Sequence, residues 1–314
     1  MRRAASADAA YAVLEERVIR RATAALASAG VRHAWFKGVA VARQFYLASH
    51  DRPRTDADLL IAPSDAARAD AALQARVGPR DPGPWAPAGV SQWMYRDRET
   101  GLVIDVHCRL FEPASLGGLL APEEVIRAAV PLPGLDDAPG ASPAHALWIA
   151  AIHPVAHHGG QADPVWGGDL CRIAETLSPP DWDAFAALCE RTRTRMLCGA
   201  VLAAAPGGVP VPHGVGARLA VGGERSIRWW QRAPRTPLSR FLTDLVVLEG
   251  WADRAALLRR KLLPPREALA TADREAGGWL PWLYLRRLAR GPRRWRRPDP
   301  SSPRRFEPPA GDGS

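Results

Sequence analysis

Apolar residues in the N-terminal third of the chain follow helical and strand periods in turn. Over residues 7–29, Tyr11, Leu14 and Val18 recur at helical spacing, and Gly30 follows as a stop signal. Shorter runs rich in β-branched and aromatic residues are typical of strands. The pattern predicts, in chain order, a strand at 31–36, a helix at 39–47, a strand at 56–61, a helix at 64–77, and strands at 91–96 and 102–110.

The remainder of the chain has helical periods separated by short breaks. Ser142 and Pro143 combine an N-cap residue with a first-turn proline and open one helix. We therefore predict an α+β protein, with a small mixed-sheet domain at 1–130 followed by an α-helical domain at 141–290. The Pro/Gly-rich stretch 131–143 is expected to connect them. Further helices are predicted at 167–177, 181–193, 195–205, 237–261 and 279–290.

The composition is that of a globular protein. Hydrophobic residues make up 47% and charged residues 24% of the 314 positions, so a buried core is expected. No apolar run approaches the roughly 18 residues that span a bilayer. The first residues lead into a charged helix instead of an apolar secretion segment. The four cysteines show no CxxC spacing, which predicts reduced thiols, and we expect a cytoplasmic protein with no membrane partner.

The positive charge is concentrated at one end of the chain. Between Arg286 and Arg305 nine arginines stand against one acid, Asp299, so this stretch carries +8 of the net charge of +9. Residues 291–314 read as a basic Pro/Arg-rich tail, which is expected to be disordered. A nucleic-acid partner is not expected for the rest of the chain, and the tail offers only nonspecific contact with nucleic acid.

Two acids open the second predicted strand. Asp56 and Asp58 flank Ala57, and alternate residues of a strand share one face, so both carboxylates project together. Like charges this close are costly unless a cation lies between them. Carboxylate oxygens suit Mg²⁺, which usually enters with substrate phosphates. The pair alone is also compatible with ordinary surface acids.

A third acid lies within an apolar strand. Ile104 and Val106 are expected to face the core, which places Asp105 and His107 on the other face. If this strand pairs beside the one that carries Asp56 and Asp58, three carboxylates converge, as two-metal nucleotidyl transfer requires. The alternative for Asp105 is an ion pair with an arginine: Arg96, Arg98 or Arg109.

Lysine is rare in this chain and therefore informative. Only two of the 42 basic residues are lysines, Lys37 and Lys261. Lys37 precedes Gly38, where a bare backbone and the N-terminus of the next helix can approach a phosphate. Arg52 and Arg54 precede the acidic strand and are candidates to grip the γ-phosphate, or else belong to a solvated loop.

These motifs together resemble the uncharacterised nucleotidyltransferase family of the polymerase-β-like superfamily. The matching segments cover residues 30–110, with a looser match from Leu147 to Trp182. Lys37-Gly38 departs from the Gly-Ser that most of the superfamily carries, and Cys108 replaces a common aromatic. The segments that carry the resemblance are Phe36-Lys37-Gly38-Val39-Ala40, Tyr46, Arg54-Thr55-Asp56-Ala57-Asp58-Leu59-Leu60-Ile61 and Val103-Ile104-Asp105-Val106-His107.

The resemblance implies a catalytic set and a set of binding residues. Asp56, Asp58 and Asp105 would be the catalytic acids and would hold Mg²⁺ or Mn²⁺. The nucleotide-binding candidates are Lys37, Gly38, Arg52, Arg54 and Thr55. The candidate substrate-lining residues are His107, His153, His157 and Asp169. Because His153 lacks the glutamate of an HExxH arrangement, substrate contact or an interdomain role is favoured over zinc for these histidines.

The function that follows is transfer of a nucleotidyl group from a nucleoside triphosphate, with ATP expected, to a small-molecule or protein acceptor. A metal-dependent phosphohydrolase is a second reading, because acids and histidines also suit that chemistry. A third is a nucleotide-binding protein with little turnover. A nucleic-acid binder acting through the basic tail is the fourth.

Overall fold

A computed structural model describes residues 2–81, 92–159, 164–234 and 236–262. Six strands form one mixed sheet in the order β3-β4-β2-β1-β6-β5, which agrees with the predicted α+β class. The strands are β1 (His33–Phe36), β2 (Asp56–Ile61), β3 (Gln92–Arg96), β4 (Val103–His107), β5 (Val130–Leu132) and β6 (Leu135–Gly140).

Helices flank the sheet and then build the rest of the described chain. The first five are α1 (Arg2–Ser28), α2 (Lys37–Phe45), α3 (Ala66–Arg76), α4 (Ala114–Gly117) and α5 (Pro122–Arg127). The others follow the last strand and are α6 (Pro143–His158), α7 (Pro164–Thr176), α8 (Pro179–Arg191), α9 (Arg195–Ala204), α10 (His213–Leu219), α11 (Ile227–Arg232), α12 (Pro237–Val247) and α13 (Trp251–Leu262).

The centre of the sheet brings the predicted acidic strands together. β2 pairs with β4 in parallel, and Asp58 lies directly beside Asp105. β1 pairs with β2 in antiparallel fashion, with Phe36 opposite Asp58. Lys37, the next residue after Phe36, therefore begins its helix beside the acids. The predicted adjacency of the two acidic strands is confirmed.

The two faces of the sheet belong to two different apolar cores. Trp35, Leu59 and Val106 lie on one face and pack with residues of α1 and α3. Phe36 and Leu60 lie on the other face, in the core that also contains the helices after residue 143. Ile104 and Val106 are fully buried, so the predicted alternation along β4 is confirmed. Asp58 and Asp105 therefore point towards the helical half.

The stretch at 131–143, which was expected to connect two domains, contains part of the sheet. Val130–Leu132 and Leu135–Gly140 form a hairpin that completes the sheet beside β1. The turn at Gly134 has a φ of +74°, and a Cβ on Gly140 would lie 2.2 Å from the Leu132 side chain. The prolines and glycines serve a tight hairpin with close backbone contact, and the sequence pattern could not distinguish that from a linker.

The sheet thus reaches Gly140, beyond the expected domain boundary at 130, and the two-domain division stays a prediction. The helix predicted at 279–290 and the basic tail at 291–314 lie outside the described residues. Within the described ranges, every helix is too short or too polar to cross a membrane.

Candidate functional site

A cavity of about 670 Å³ opens between the acid-bearing strands and the first helices of the helical half. Its walls are formed by the ends of β2 and β4 on one side and by α6 and α7 on the other. All of the residues that the sequence predicted for the site line this cavity: Lys37, Gly38, Arg52, Arg54, Thr55, Asp56, Asp58, Asp105, His107, His153, His157 and Asp169.

Two carboxylates and one imidazole meet on the strand wall. The Nε2 atom of His107 lies 2.9 Å from Asp58 Oδ1 and 3.1 Å from Asp105 Oδ2. All three residues are less than a tenth exposed. The other Asp105 oxygen, Oδ1, is buried and has no hydrogen-bond partner among the described residues. The ring of Phe36 meets that of His107 edge-on at 5.1 Å and fixes its orientation.

Lys37 is held in a strained conformation next to this cluster. Its φ is +50°, a region that costs a residue with a Cβ about 1 kcal/mol or more. The Lys37 Nζ donates to Asp58 Oδ1 at 2.9 Å and lies 3.4 Å from His107 Nε2. The strained backbone turns the chain from β1 into α2, so the lysine and the helix N-terminus both face the cavity.

The three carboxylates lie in unequal electrostatic surroundings. Burial, together with the negative charges of Asp58 and Asp105, raises the pKa of Asp56 to about 6. Burial also opposes ionisation of Asp58, but the Lys37 charge and the His107 hydrogen bond outweigh it and hold its pKa below the usual range. Hydrogen bonds to Asp105 and Asp58 raise the pKa of His107 against the effects of burial and of Lys37.

Both arginines of the preceding loop are engaged in internal ion pairs. Arg52 donates to Asp169 through Nε at 2.8 Å and Nη2 at 2.7 Å, and Tyr46 donates to the same carboxylate at 2.8 Å. Arg54 pairs with Glu15 of α1, and both side chains are almost fully buried. These contacts fix the loop before β2. Either arginine could therefore bind a phosphate only through N–H groups that are not used in these ion pairs.

Gly38 has a second role that the sequence did not predict. A Cβ at this position would lie 3.1 Å from the Arg52 Nη1 and 3.7 Å from the Arg54 side chain. The missing side chain therefore admits the two arginines behind the N-terminus of α2. Thr55 lines the cavity between Arg54 and Asp56.

Histidines form the opposite wall. The rings of His153 and His157 lie 4.8 Å apart on α6, and the ring of Trp166 on α7 lies 4.2 Å from that of His158 in a tilted contact. Burial and the positive charge of Lys37 lower the pKa of His157 to about 3, and burial also lowers that of His153. His153 Nδ1 and His157 Nε2 are buried without a hydrogen-bond partner in the described part of the chain. The His153 and His157 rings are therefore neutral at neutral pH.

Gln92, Trp166 and Arg240 line the cavity but were not predicted from the sequence. Gln92 donates to Asp105 Oδ2, Trp166 contributes its ring, and Arg240 donates to the carbonyl of His157 at 2.6 Å. Gln92 stands opposite His107 in the β3–β4 pairing. A correct prediction of that strand register would therefore have placed Gln92 at the site. Trp166 and Arg240 reach the cavity only through helix packing, for which the sequence carries no local signal.

The donor set fits a divalent metal ion. Ligand atoms of Asp58, Asp105 and His107 all lie within 4.8 Å of one another, the one such group of three within the described ranges. The unpartnered Asp105 oxygen and the raised pKa of Asp56 both indicate more negative charge than Lys37 neutralises. Asp56 lies outside this group of three but lines the same cavity.

Comparison with known proteins agrees with this geometry. A family model described as uncharacterised nucleotidyltransferase matches residues 1–206, a span that contains the sheet and the helices up to α9. No curated protein matches the chain significantly. The matched span includes both walls of the cavity apart from Arg240. The chain therefore belongs to this nucleotidyltransferase family.

Proposed function

We propose that this protein transfers a nucleotidyl group from a nucleoside triphosphate, ATP first among the candidates, to a small-molecule or protein acceptor. The observation that carries the proposal is the convergence of Asp56, Asp58 and Asp105 on one wall of a cavity that also holds Lys37 and a helix N-terminus. Membership of a nucleotidyltransferase family supports the same reaction class.

Asp56, Asp58 and Asp105 would hold Mg²⁺ or Mn²⁺. When bound, such an ion neutralises the triphosphate and the leaving pyrophosphate and lowers the pKa of an attacking hydroxyl. The acceptor oxygen forms a bond to the α-phosphorus while the bond to the β-phosphate oxygen breaks and pyrophosphate leaves. Asp105 Oδ1, which lacks a partner in the described part of the chain, would take the acceptor proton.

The triphosphate would lie against the N-terminus of α2. Helix α2 begins at Lys37, and its first amides face the cavity, where they favour negative charge. Lys37 would exchange its contact with Asp58 for a phosphate oxygen. The acceptor would then lie against the neutral imidazole rings of His153 and His157.

Nucleotide turnover tests the proposal. The full-length protein would be incubated with each of the four nucleoside triphosphates, labelled at the α- or γ-phosphate, with Mg²⁺ or Mn²⁺. Small-molecule and protein fractions of a cell extract would serve as acceptor sources. We expect α-label on an acceptor and an equal amount of pyrophosphate, both absent from Asp58→Asn.

Other outcomes of this experiment would indicate a different function. Release of γ-labelled phosphate without α-label transfer would indicate a phosphohydrolase. Saturable nucleotide binding without any product, with every acceptor fraction, would indicate a binding protein. Either result contradicts nucleotidyl transfer.

A further inference from the structure

One nitrogen atom in the acidic cluster, His107 Nε2, has more close polar neighbours than it can hydrogen-bond at once. His107 Nε2 lies within 3.1 Å of oxygens from two different carboxylates, Asp58 and Asp105, and 3.4 Å from Lys37 Nζ. One N–H can be directed well at only one of the two oxygens, and a bare lone pair would face two negative charges. A divalent cation between the three groups would be bound by all of them together.

The distances from His107 Nε2 to the two carboxylate oxygens match the spacing of neighbouring ligands around one ion. Octahedral ions hold ligands at about 2.1 Å, so neighbouring ligand atoms lie about 3 Å apart. The distances from His107 Nε2, 2.9 Å to Asp58 and 3.1 Å to Asp105, have that value. The backbone enforces the arrangement, because Asp58 and Asp105 are paired residues of β2 and β4 and His107 shares the strand face of Asp105.

We propose that His107 is itself a metal ligand, and that the set of Asp58, Asp105 and His107 selects a divalent transition-metal ion over Mg²⁺. The inference rests on the proposed function in that both need a metal at these acids. Imidazole nitrogen suits transition ions, whereas Mg²⁺ takes oxygen ligands almost without exception.

Lys37 holds the place of that ion when no metal is bound. Its ammonium contacts Asp58 Oδ1 and lies beside His107 Nε2, which are two of the three ligand atoms. An ion and this ammonium cannot touch the same oxygen at short range without repulsion. Metal entry therefore displaces Lys37 into the cavity, where the triphosphate would lie.

Direct metal binding to the full-length protein, without nucleotide, tests the inference. Mn²⁺ affinity would be measured by electron paramagnetic resonance of the free ion, and Mg²⁺ affinity by calorimetry. We expect Mn²⁺ to bind at least about tenfold more tightly than Mg²⁺. Pulsed resonance of the Mn²⁺-loaded wild type should show coupling to an imidazole nitrogen, and absence of that coupling would refute the ligand role without any variant.

Two variants sharpen the test. His107→Gln supplies an amide oxygen in place of the nitrogen, so the preference for Mn²⁺ over Mg²⁺ should fall by about tenfold or more. Lys37→Met should tighten binding of both ions by about threefold or more, because the competing charge is removed. His50→Asn, an exposed histidine of the same half, is the matched control and should change neither affinity.

The outcomes separate this inference from the proposed function. The inference would be overturned if His107→Gln lost the same affinity for Mn²⁺ and Mg²⁺, or if Lys37→Met bound the ions more weakly. This holds even if the enzyme turns over nucleotides. Nitrogen coupling and Mn²⁺ preference in a protein that never transfers a nucleotidyl group would refute the proposed function alone.

Discussion

Asp56 and Asp58 stand two positions apart on one strand, yet their surroundings drive their ionisation in opposite directions. The pKa of Asp56 is raised to about 6 by burial and by two neighbouring carboxylates. Asp58 has its pKa lowered because Lys37 and His107 hold its charge. The charged form of Asp56 therefore destabilises the folded protein, and the charged form of Asp58 stabilises it.

Opposite stability changes are expected for the two neutral variants in the metal-free protein at pH 7. Asp56→Asn should raise the free energy of unfolding by about 1 kcal/mol, after allowance for its partial exposure. Asp58→Asn should lower it by about 2 kcal/mol, because Lys37 and His107 lose their partner. Melting curves in EDTA measure both, and turnover should vanish in both. A change of the same sign in both variants would contradict the electrostatic assignment.

The stabilising effect of Asp56→Asn should also depend on pH. The folded pKa of Asp56, about 6, lies above the unfolded value near 3.9. Below about pH 4 Asp56 is protonated in both the folded and the unfolded state, so it does not lower the stability of the wild type. Wild-type stability is lost relative to the variant as the pH rises through about 6. The difference in melting temperature should be near zero at pH 4 and constant above pH 7, and a pH-independent difference would disprove the raised pKa.

Lys37→Arg should not rescue Lys37→Ala in nucleotide affinity, although arginine is the usual cation of this chain. The ammonium fits a single carboxylate oxygen at 2.9 Å beside the His107 ring, whereas a planar guanidinium on a longer stem needs a wider space. Fluorescence titration with a labelled triphosphate measures the affinity. Lys261→Arg controls for the exchange itself, and wild-type affinity in Lys37→Arg would show that the position needs only positive charge.

At the scale of elements, the sequence predicted what depends on local periodicity. The alternation in β4 placed Asp105 and His107 on one face, and the Asp56–Ala57–Asp58 spacing placed two acids together. The hairpin of β5 and β6 was missed because its tight turns use the residues that also mark linkers. The pairing of Arg52 with Asp169 was missed because 117 residues separate the partners, and only helix packing brings them together.

The Arg52–Asp169 pair ties the loop before β2 to α7, and both side chains are less than a tenth exposed. Asp169→Ala should cost about 3 to 5 kcal/mol, because it leaves a buried guanidinium unpaired. The double variant Arg52→Met with Asp169→Leu should cost less than the sum of its single changes by about 2 kcal/mol. Urea denaturation gives these values.

An exposed pair provides the control for that cycle. Arg193 and Glu249 are 60% and 48% exposed, so Glu249→Ala should change stability by less than about 0.5 kcal/mol. Additive effects at Arg52 and Asp169 would show that the buried pair does not hold the loop, and a phosphate role for Arg52 would gain support.

At the scale of the whole molecule, one apolar core joins the sheet to the helical half. Phe36 and Leu60 of the sheet belong to the same buried cluster as Trp148 and Phe185 of the helices. The cavity lies at the margin of this shared core, with acids on one wall and neutral histidines on the other. The geometry between the walls is therefore set by buried contacts that belong to both halves.

Unfolding of the described halves should be a single cooperative event. Tryptophan fluorescence and far-ultraviolet circular dichroism should give coincident denaturation curves, because separating the halves would expose the shared core. Trp148→Phe should shift both curves together. Two resolved transitions would instead support independent domains divided near residue 140.

The alternation along β4 has a consequence for the gene. Asp105 and His107 share one face while Ile104 and Val106 fill the core on the other, and β4 is hydrogen-bonded on both sides. Inserting one codon within the strand would shift its downstream half by one position and exchange the two faces. The acid and the imidazole could then not both face the cavity, and an apolar residue would take the place of one of them. Length changes in this part of the gene must therefore fall in the turns, at Gly101 or beyond His107, if the site is to survive them.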